Sequence, residues 1–279
     1  ALRLAFELIA GSGSTLWLSD TTWQVHLPIA QASGLAVRRY DYYQPGLGRL
    51  PFEQVLASLS QAKAGDAVLI QGSCHNPTGL DFTADEWQQL SSLCLQKCLL
   101  PIVDMAYHGL GVGIEEWRLG LVTLLKQFPE LLLCYTCSKN FGLYRERTGM
   151  VVALTENSQG SAAVSQQWMQ LATRHYFTPP AHGASLVRKI LQYSKLKKNW
   201  LTELGVMRNR LVDIRNNLSI ALNDTVPDRD WSFLIQGAGM FALFPMSKQE
   251  LIQLKKQLGI YIVENGRVNL SSFNSHNID

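Results

Sequence analysis

Short apolar and β-branched runs alternate along the first part of the chain with segments whose apolar residues recur at helical spacing. The short runs predict strands over residues 15–19, 36–43, 67–71, 100–104, 131–136 and 150–154. The helical spacing predicts helices over residues 1–10, 51–61, 83–98 and 117–128. Thr83 and Glu86 have the spacing of a capping box, which marks a helix start. The alternation predicts an α/β fold, a mostly parallel sheet with helices on both faces.

The pattern changes after Pro179 and Pro180. Two helices are predicted next, over residues 181–193 and 196–222. The next predicted elements are strands over residues 231–235 and 239–244, with a hairpin-like turn at Gly237 and Gly239 between them. A helix over residues 248–258 and two further strands over residues 260–263 and 267–271 follow. We therefore expect a large domain in residues 1–195, then a long connecting helix and an α+β small domain in residues 196–279.

Composition excludes several classes of protein. Of the 279 residues, 47% are hydrophobic and 17% are charged, and the net charge of +3 is too weak to predict a nucleic-acid partner. No stretch is apolar over the roughly 20 residues that a membrane helix needs. Five cysteines, an odd number, argue against a disulfide framework and for a reducing compartment, the cytoplasm. Cys134 and Cys137 form a CxxC, but with no suitable second pair we expect buried strand cysteines and no metal site.

The two ends of the chain carry a further signal. The chain does not begin with Met, and its first residues already have a helical pattern with no cap before them. It ends on SSFNSHNID directly after a predicted strand, with no closing helix. We therefore expect the sequence to be cut at both ends.

Four segments with unusual polar chemistry follow predicted strands: residues 20–26, 71–79, 104–109 and 137–142. In open α/β sheets, ligands bind beyond the carboxyl ends of the strands, so these segments form the candidate site. A lone lysine is usually a solvated surface residue, but Lys139 follows an apolar strand, and in a partly apolar pocket such an amine can attack a carbonyl. Arg145 and Arg147 could supply a guanidinium to a phosphate, and Thr136 could add a hydroxyl.

Each of the other candidate residues has a structural explanation as well as a functional one. Asn76 lies in HNPTG, which is also a common turn sequence. Asp104 could cap a turn, or it could pair with the ring nitrogen of a cofactor. Trp23 could pack in a core or stack on a cofactor, and Arg267 could lie on the surface or bind a carboxylate. The residue patterns alone leave these alternatives open.

Taken together, five segments resemble the aspartate/aromatic aminotransferase family, the class I, fold type I enzymes that depend on pyridoxal phosphate. These segments are SKNFGLYRERTG, HNPTG, DMAY, Trp23 with His26, and GRVN, and they occur in the family's order along the whole chain. The resemblance implies a mostly parallel, seven-stranded-type sheet with helices on both faces, plus an incomplete α+β small domain. It also implies pyridoxal 5′-phosphate as the cofactor.

The resemblance assigns roles to matching residues. Lys139 would form the Schiff base with the cofactor and then move the substrate's α-proton as general acid and base. Asp104 would pair with the ring nitrogen, with His26 behind it. Tyr107 would donate a hydrogen bond to the 3′-oxygen, as would Asn76, which would also contact the substrate.

The remaining site residues follow from the same resemblance. Trp23 would stack on one face of the cofactor ring and contact the substrate, while Thr136 and Arg147 would hold the phosphate. Arg267 would bind the substrate's α-carboxylate through both arms of its guanidinium, with Phe241 near that carboxylate.

One departure from the family concerns substrate specificity. Aspartate-type members carry an arginine that reaches into the neighbouring subunit and binds the distal carboxylate. The matching position here is Thr173, and Arg174 lies one residue later, about 100° around a helix. The choice between aspartate and aromatic substrates therefore stays open.

The resulting hypothesis is a ping-pong transaminase that acts on aspartate or an aromatic amino acid with a 2-oxo acid. We expect a cytoplasmic homodimer with shared active sites in the full-length form. The family's phosphate-binding turn would lie before Ala1, so residues 1–279 by themselves are expected to be weak or inactive. Two alternatives are a truncated or non-catalytic paralogue that retains the fold without turnover, and another fold type I reaction such as that of a lyase.

Overall fold

A six-stranded sheet lies at the centre of the computed structural model, which describes residues 1–45, 49–115 and 117–274. Its strands are β1 (Thr15–Ser19), β2 (Ala36–Tyr40), β3 (Ala67–Gln71), β4 (Leu100–Met105), β5 (Leu131–Thr136) and β6 (Gly149–Leu154). Their order across the sheet is β2-β1-β3-β4-β5-β6, and only the pairing of β5 with β6 is antiparallel. The predicted α/β class is confirmed, with six strands in the described residues where a seven-stranded-type sheet was expected.

Helices cover both faces of this sheet, as predicted. They are α1 (Leu2–Ala10), α2 (His26–Ala32), α3 (Phe52–Leu59), α4 (Ala84–Gln96), α5 (Trp117–Gln127) and α6 (Ser158–His175). Helices α3, α4 and α5 bury Val55, Leu90 and Leu124 against one face. Helices α1 and α2 bury Phe6 and Ala30 against the other face, where α6 also packs.

Local sequence explains the central strands and the start of α4. All residues of β3 are buried, as are all but the first of β4, because strands covered by helices on both faces must be apolar throughout. The predicted capping box is present: Glu86 N donates to Thr83 Oγ1 over 3.3 Å, and Thr83 N donates to Glu86 Oε2 over 2.8 Å.

The C-terminal part of the chain forms a second hydrophobic core. Its elements are α7 (His182–Gln192), α8 (Ser194–Thr225), α9 (Ser232–Gln236), β7 (Phe241–Leu243), α10 (Lys248–Gln253), a π-helical turn (Leu254–Leu258), β8 (Arg267–Asn269) and a 3-10 turn (Leu270–Ser272). Strands β7 and β8 pair antiparallel, with Phe241 opposite Asn269 and Leu243 opposite Arg267. The residues of this core come from α8, α9 and the small sheet: Leu211, Ile214, Leu218, Trp231, Phe233, Leu234, Ala242, Phe244 and Leu270.

One predicted hairpin is wrong. Residues 231–235 are largely helix α9, and the consecutive side chains of Phe233 and Leu234 both enter the second core. The hairpin-like turn at Gly237 and Gly239 is wrong as well, because β7 pairs with β8. A helical turn can direct both apolar side chains into one core, whereas consecutive residues of a strand point to opposite faces.

A second strand prediction, over residues 260–263, is also wrong. These residues have no regular secondary structure, and Tyr261 is 77% exposed. A β-branched run gains little from strand geometry when no partner strand lies beside it. The expectation about the last residues of the chain, 275–279, lies outside the described residues. None of the described helices combines the length and the apolar character that a membrane crossing requires.

Candidate active site

The polar segments predicted from the sequence meet at the carboxyl ends of the parallel strands. Strand β1 lies between β2 and β3, so the chain leaves it toward one side of the sheet and later returns on the other. Such a switch point leaves a crevice at the strand ends where ligands bind. In the register of the sheet, Gln71 at the end of β3 lies opposite Asp104 of β4, and Asp104 lies opposite Cys134 of β5.

Asp104 and His26 form a buried pair. His26 Nε2 lies 3.0 Å from Asp104 Oδ2, and His26 Nδ1 lies 2.8 Å from the Thr22 hydroxyl. His26 is fully buried and Asp104 is 8% exposed. Nε2 can donate to the Asp104 carboxylate while Nδ1 accepts from the Thr22 hydroxyl, an arrangement that gives all three side chains a partner. The half-buried Trp23 indole meets the His26 ring edge-on at 5.3 Å, so these four residues form one cluster.

Lys139 lies directly after β5 and approaches Tyr107. Its Nζ is 4.7 Å from the centroid of the Tyr107 ring. Burial lowers the pKa of the Lys139 amine; the Asp104 carboxylate opposes this effect, and the Arg147 guanidinium adds to it. A lowered pKa increases the fraction of unprotonated, nucleophilic amine near neutral pH.

The loop around Lys139 is fixed by its neighbour Asn140. The side-chain Nδ2 of Asn140 donates to the Tyr135 hydroxyl over 2.7 Å, and the Trp200 indole donates to the main-chain carbonyl of Asn140 over 2.7 Å. Phe141 stacks on Trp200 with 4.4 Å between ring centroids. Among the described residues, the buried Asn140 Oδ1 has no hydrogen-bond partner, so it could accept a hydrogen bond from a donor of a ligand.

Asn76 connects Tyr107 to Arg267. Its Nδ2 donates to the Tyr107 hydroxyl over 3.0 Å, and its Oδ1 accepts from Arg267 Nη1 over 3.2 Å. Burial raises the pKa of the Tyr107 phenol, so this hydroxyl stays protonated and can act as a donor. The Asn76–Pro77 peptide bond is cis.

Arg267 reaches this cluster from the small sheet. Its guanidinium carbon lies 4.9 Å from the centroid of the Phe241 ring, and that ring meets Tyr107 edge-on at 5.9 Å. Arg267 and Asn76 are 191 positions apart in the sequence, so their contact depends entirely on how β8 packs against the large sheet.

The two predicted phosphate-binding side chains are arranged differently from each other. Thr136 Oγ1 lies 2.9 Å from Ser138 Oγ, which places two hydroxyls side by side next to Lys139. Arg147 is exposed, has φ 52°, and donates from Nη1 to the Tyr144 carbonyl over 2.7 Å. In the described residues, the guanidinium is therefore bound within its own loop.

Two further polar residues lie in the candidate segments, but the sequence assigned no role to either. The Gln71 side chain pairs with both main-chain groups of Asn76, accepting from N over 2.9 Å and donating to O over 3.0 Å. Ser138, beside Thr136, is the other. Both were visible as polar residues at strand ends, but a buried glutamine at such a position can equally satisfy the backbone of a turn.

Comparison with known proteins gives consistent results for sequence and structure. The family model described as "Aminotransferase class I and II" matches residues 1–279. The aspartate aminotransferase of Salmonella typhi is 38% identical over 280 residues, covering 100% of this chain and 71% of that protein. The aromatic-amino-acid aminotransferase of Paracoccus denitrificans is 35% identical, again over 100% of this chain and 71% of that protein.

A solved structure shares the fold over the whole of this chain. It is the aromatic-amino-acid aminotransferase from Burkholderia pseudomallei covalently bound to pyridoxal phosphate. The TM-score is 0.97 at 29% sequence identity, and the match covers 100% of this chain and 70% of that one.

Proposed function

This chain belongs to the aminotransferase class I and II family, and we propose that it exchanges an amino group between an aspartate or aromatic amino acid and a 2-oxo acid with the help of pyridoxal phosphate. The observation that carries this proposal is the position of Lys139. Its amine, with a lowered pKa, faces the Tyr107 ring and is close enough to Asp104 for that carboxylate to affect its pKa. A reactive amine between a buried carboxylate and a buried phenol suits covalent chemistry on a carbonyl.

The donor set of the site fits the proposed cofactor. A buried carboxylate, Asp104, suits a protonated ring nitrogen, while the amide of Asn76 and the phenol of Tyr107 suit a ring oxygen. The hydroxyl of Thr136 and the guanidinium of Arg147 suit a phosphate, the latter once it exchanges the Tyr144 carbonyl for a phosphate oxygen. When bound, pyridoxal phosphate supplies an aldehyde for the amino group and a ring that withdraws electrons from the substrate's α-carbon.

The protein's own residues then have distinct roles. Lys139 would hold the cofactor covalently, and its amine would move the proton at the substrate's α-carbon. His26 orients the Asp104 carboxylate by donating to it from Nε2. Trp23, half-buried beside His26, offers a flat indole face for stacking on the cofactor ring.

Both substrates carry an α-carboxylate, which we assign to Arg267. Its guanidinium is anchored on Asn76 and on the ring of Phe241, and its other donors are suited to two carboxylate oxygens. Asn76 and Trp23 complete the proposed substrate contacts. The site therefore recognises the carboxylate group that amino acids and 2-oxo acids share.

We also propose the wider organisation that follows from family membership. Residues 1–195 would form the cofactor-binding domain, and residues 196–279 the connecting helix and small domain, which is supported by the separate core around α8 and β7. A homodimer is supported by large apolar side chains that are exposed near the end of α6, Met169 at 65% and Phe177 at 77%. A cytoplasmic location is supported by the five free cysteines.

Borohydride trapping tests the proposed function directly. The protein in its full-length form is incubated with pyridoxal phosphate, reduced and peptide-mapped, and transamination is assayed with aspartate and with phenylalanine. We expect the pyridoxyl label on Lys139 and turnover with at least one amino acid. Lys139→Arg should abolish both, while Lys126→Arg, at an exposed lysine of α5, should leave both unchanged. Label on another lysine would refute the proposal, as would a protein that shows neither label nor turnover.

A further inference from the structure

Arg215 is a buried cation on the long helix α8. Its residue is 2% exposed, and its guanidinium makes five hydrogen bonds to carbonyl oxygens of one segment. The acceptors are Leu234 at 2.9 Å, Ala238 at 2.9 Å, Gly239 at 3.2 and 3.0 Å, and Phe241 at 2.6 Å. Burial lowers the pKa of Arg215 to about 10, so the group is still charged at neutral pH. Nε, Nη1 and Nη2 thus all donate to the segment that runs from α9 to the start of β7.

The same loop is also held by the turn that follows Asn76. Ala238 N donates to the Gly79 carbonyl over 2.7 Å. Gly79 has φ +73°, and a Cβ built there would lie 2.5 Å from the Phe241 carbonyl and 2.8 Å from Arg215 Nη2. Arg215, the loop and the Asn76 turn are therefore packed together with no space for one more carbon atom.

The loop fixed by Arg215 leads directly into the proposed carboxylate site. Phe241, whose carbonyl Arg215 binds, is the first residue of β7, and β7 pairs with β8, which carries Arg267. The Phe241 ring lies under the Arg267 guanidinium at 4.9 Å, and Arg267 donates to Asn76. A continuous series of contacts thus runs from Arg215 to the group that would bind substrate.

We propose that Arg215 is a positioning residue for the substrate α-carboxylate: it sets the places of Phe241 and Arg267 relative to Asn76. This inference rests on the proposed function. The choice of arginine follows from its chemistry, since a planar guanidinium with five N–H groups can serve four carbonyls at once, whereas an ammonium donates from one atom. A residue that served stability alone would change the unfolding midpoint without changing affinity for carboxylates.

The test compares Arg215→Lys with the wild-type protein. We expect the KM for the amino acid and for the 2-oxo acid to rise together by about 10-fold or more, because both depend on one carboxylate site, while kcat changes by less than about 3-fold. Binding of 3-phenylpropionate, which offers only a carboxylate and a ring, should weaken by a similar factor in calorimetry of the cofactor-free protein. Arg229→Met removes a partly exposed arginine paired with Glu250 and should change neither value.

A double-mutant cycle shows whether Arg215 acts through Arg267. In an Arg267→Ala background, Arg215→Lys should change KM by less than about 2-fold, since residues in one contact series are not additive. Equal effects in both backgrounds would overturn the proposal. An unchanged KM in Arg215→Lys would also overturn the proposal. A near-ultraviolet circular dichroism spectrum showing that Arg215→Lys fails to fold would overturn it too, because Arg215 would then be a fold determinant only. An inactive wild-type protein without label on Lys139 would instead refute the proposed function.

Discussion

His26 Nε2 lies 3.0 Å from Asp104 Oδ2, although the two residues are 78 positions apart in the sequence. The first begins helix α2 and the second lies near the end of β4, and their contact is almost completely shielded from solvent. A buried carboxylate loses its hydration, and a hydrogen-bond donor compensates for that loss. His26 is that donor, and the Thr22 hydroxyl orients it.

We predict that His26→Leu slows transamination. Without the Nε2 donor the Asp104 carboxylate loses one charge-assisted hydrogen bond, which corresponds to a rate reduction of about 10-fold to 100-fold. Single-turnover kinetics with a saturating amino acid measure this effect. Gln24→Leu, at an exposed position of the same segment, is the matched control and should react at the wild-type rate. A His26→Leu variant as fast as the control would show that Asp104 does not depend on His26.

The reactivity of Lys139 should depend on its two charged neighbours in opposite directions. Burial lowers the pKa of Lys139, Asp104 raises it and Arg147 lowers it. Asp104→Asn should therefore shift the pH profile of Lys139 acylation to lower pH, and Arg147→Gln should shift it to higher pH. Competitive labelling of the cofactor-free protein with acetic anhydride, followed by peptide mapping, measures both shifts.

The lowered pKa of Lys139 also makes the stability of the cofactor-free protein depend on pH. Between the pKa of Lys139 in the folded protein and the ordinary lysine value of 10.5, the unfolded chain binds more protons than the folded one. The contribution of Lys139 to the free energy of unfolding of the cofactor-free protein therefore increases as pH rises through this window.

In the labelling experiment with Asp104→Asn and Arg147→Gln, the exposed Lys126 is the internal standard. Shifts of equal sign in the two variants would contradict the assignment of charges around Lys139.

Thr83→Ala should destabilise the protein through the start of α4. The substitution removes the hydroxyl that accepts from Glu86 N, and the loss of such a cap costs about 1 kcal/mol, within a range of roughly 0.5–2 kcal/mol. Urea unfolding measures the free energy. Ser92→Ala on the same helix removes an exposed hydroxyl that only bonds back to Gln88 O, and it should be neutral or slightly stabilising. Equal effects of the two substitutions would mean that the cap contributes nothing.

Thr173→Arg should shift substrate preference toward aspartate. Thr173 is an exposed residue of α6, and its hydroxyl is bound back to Met169 O over 2.8 Å. In the proposed homodimer, an arginine here would bind the second carboxylate of aspartate and increase kcat/KM for aspartate relative to phenylalanine by about 10-fold. Thr202→Arg is the control, since Thr202 is also exposed and bonds back to Lys198 O. An unchanged ratio of the two kcat/KM values would refute the prediction.

Several features of the fold and the site could be predicted from local patterns in the sequence. The bounds of β1, β3 and β5 agree with the predicted strands, and the capping box of α4 is where Thr83 and Glu86 placed it. The positions of Lys139 and Asp104 beside strand ends were also predicted correctly. Hydrophobic periodicity and helix caps act over a few neighbouring residues, so they can be read from the sequence.

Which of these residues meet, and which strand patterns form strands, depends on long-range packing. Residues 260–263 have a strand pattern, but no partner strand lies beside them in the described part of the chain. Residues 231–235 lie largely in helix α9, where Phe233 and Leu234 share one core. Arg215 had no sequence signal at all, since a helical arginine is ordinarily exposed. Whether a strand finds hydrogen-bond partners, or a buried charge finds carbonyls, depends on segments far away in the chain. These long-range contacts are set by the packing of the whole fold, which a local sequence pattern does not encode.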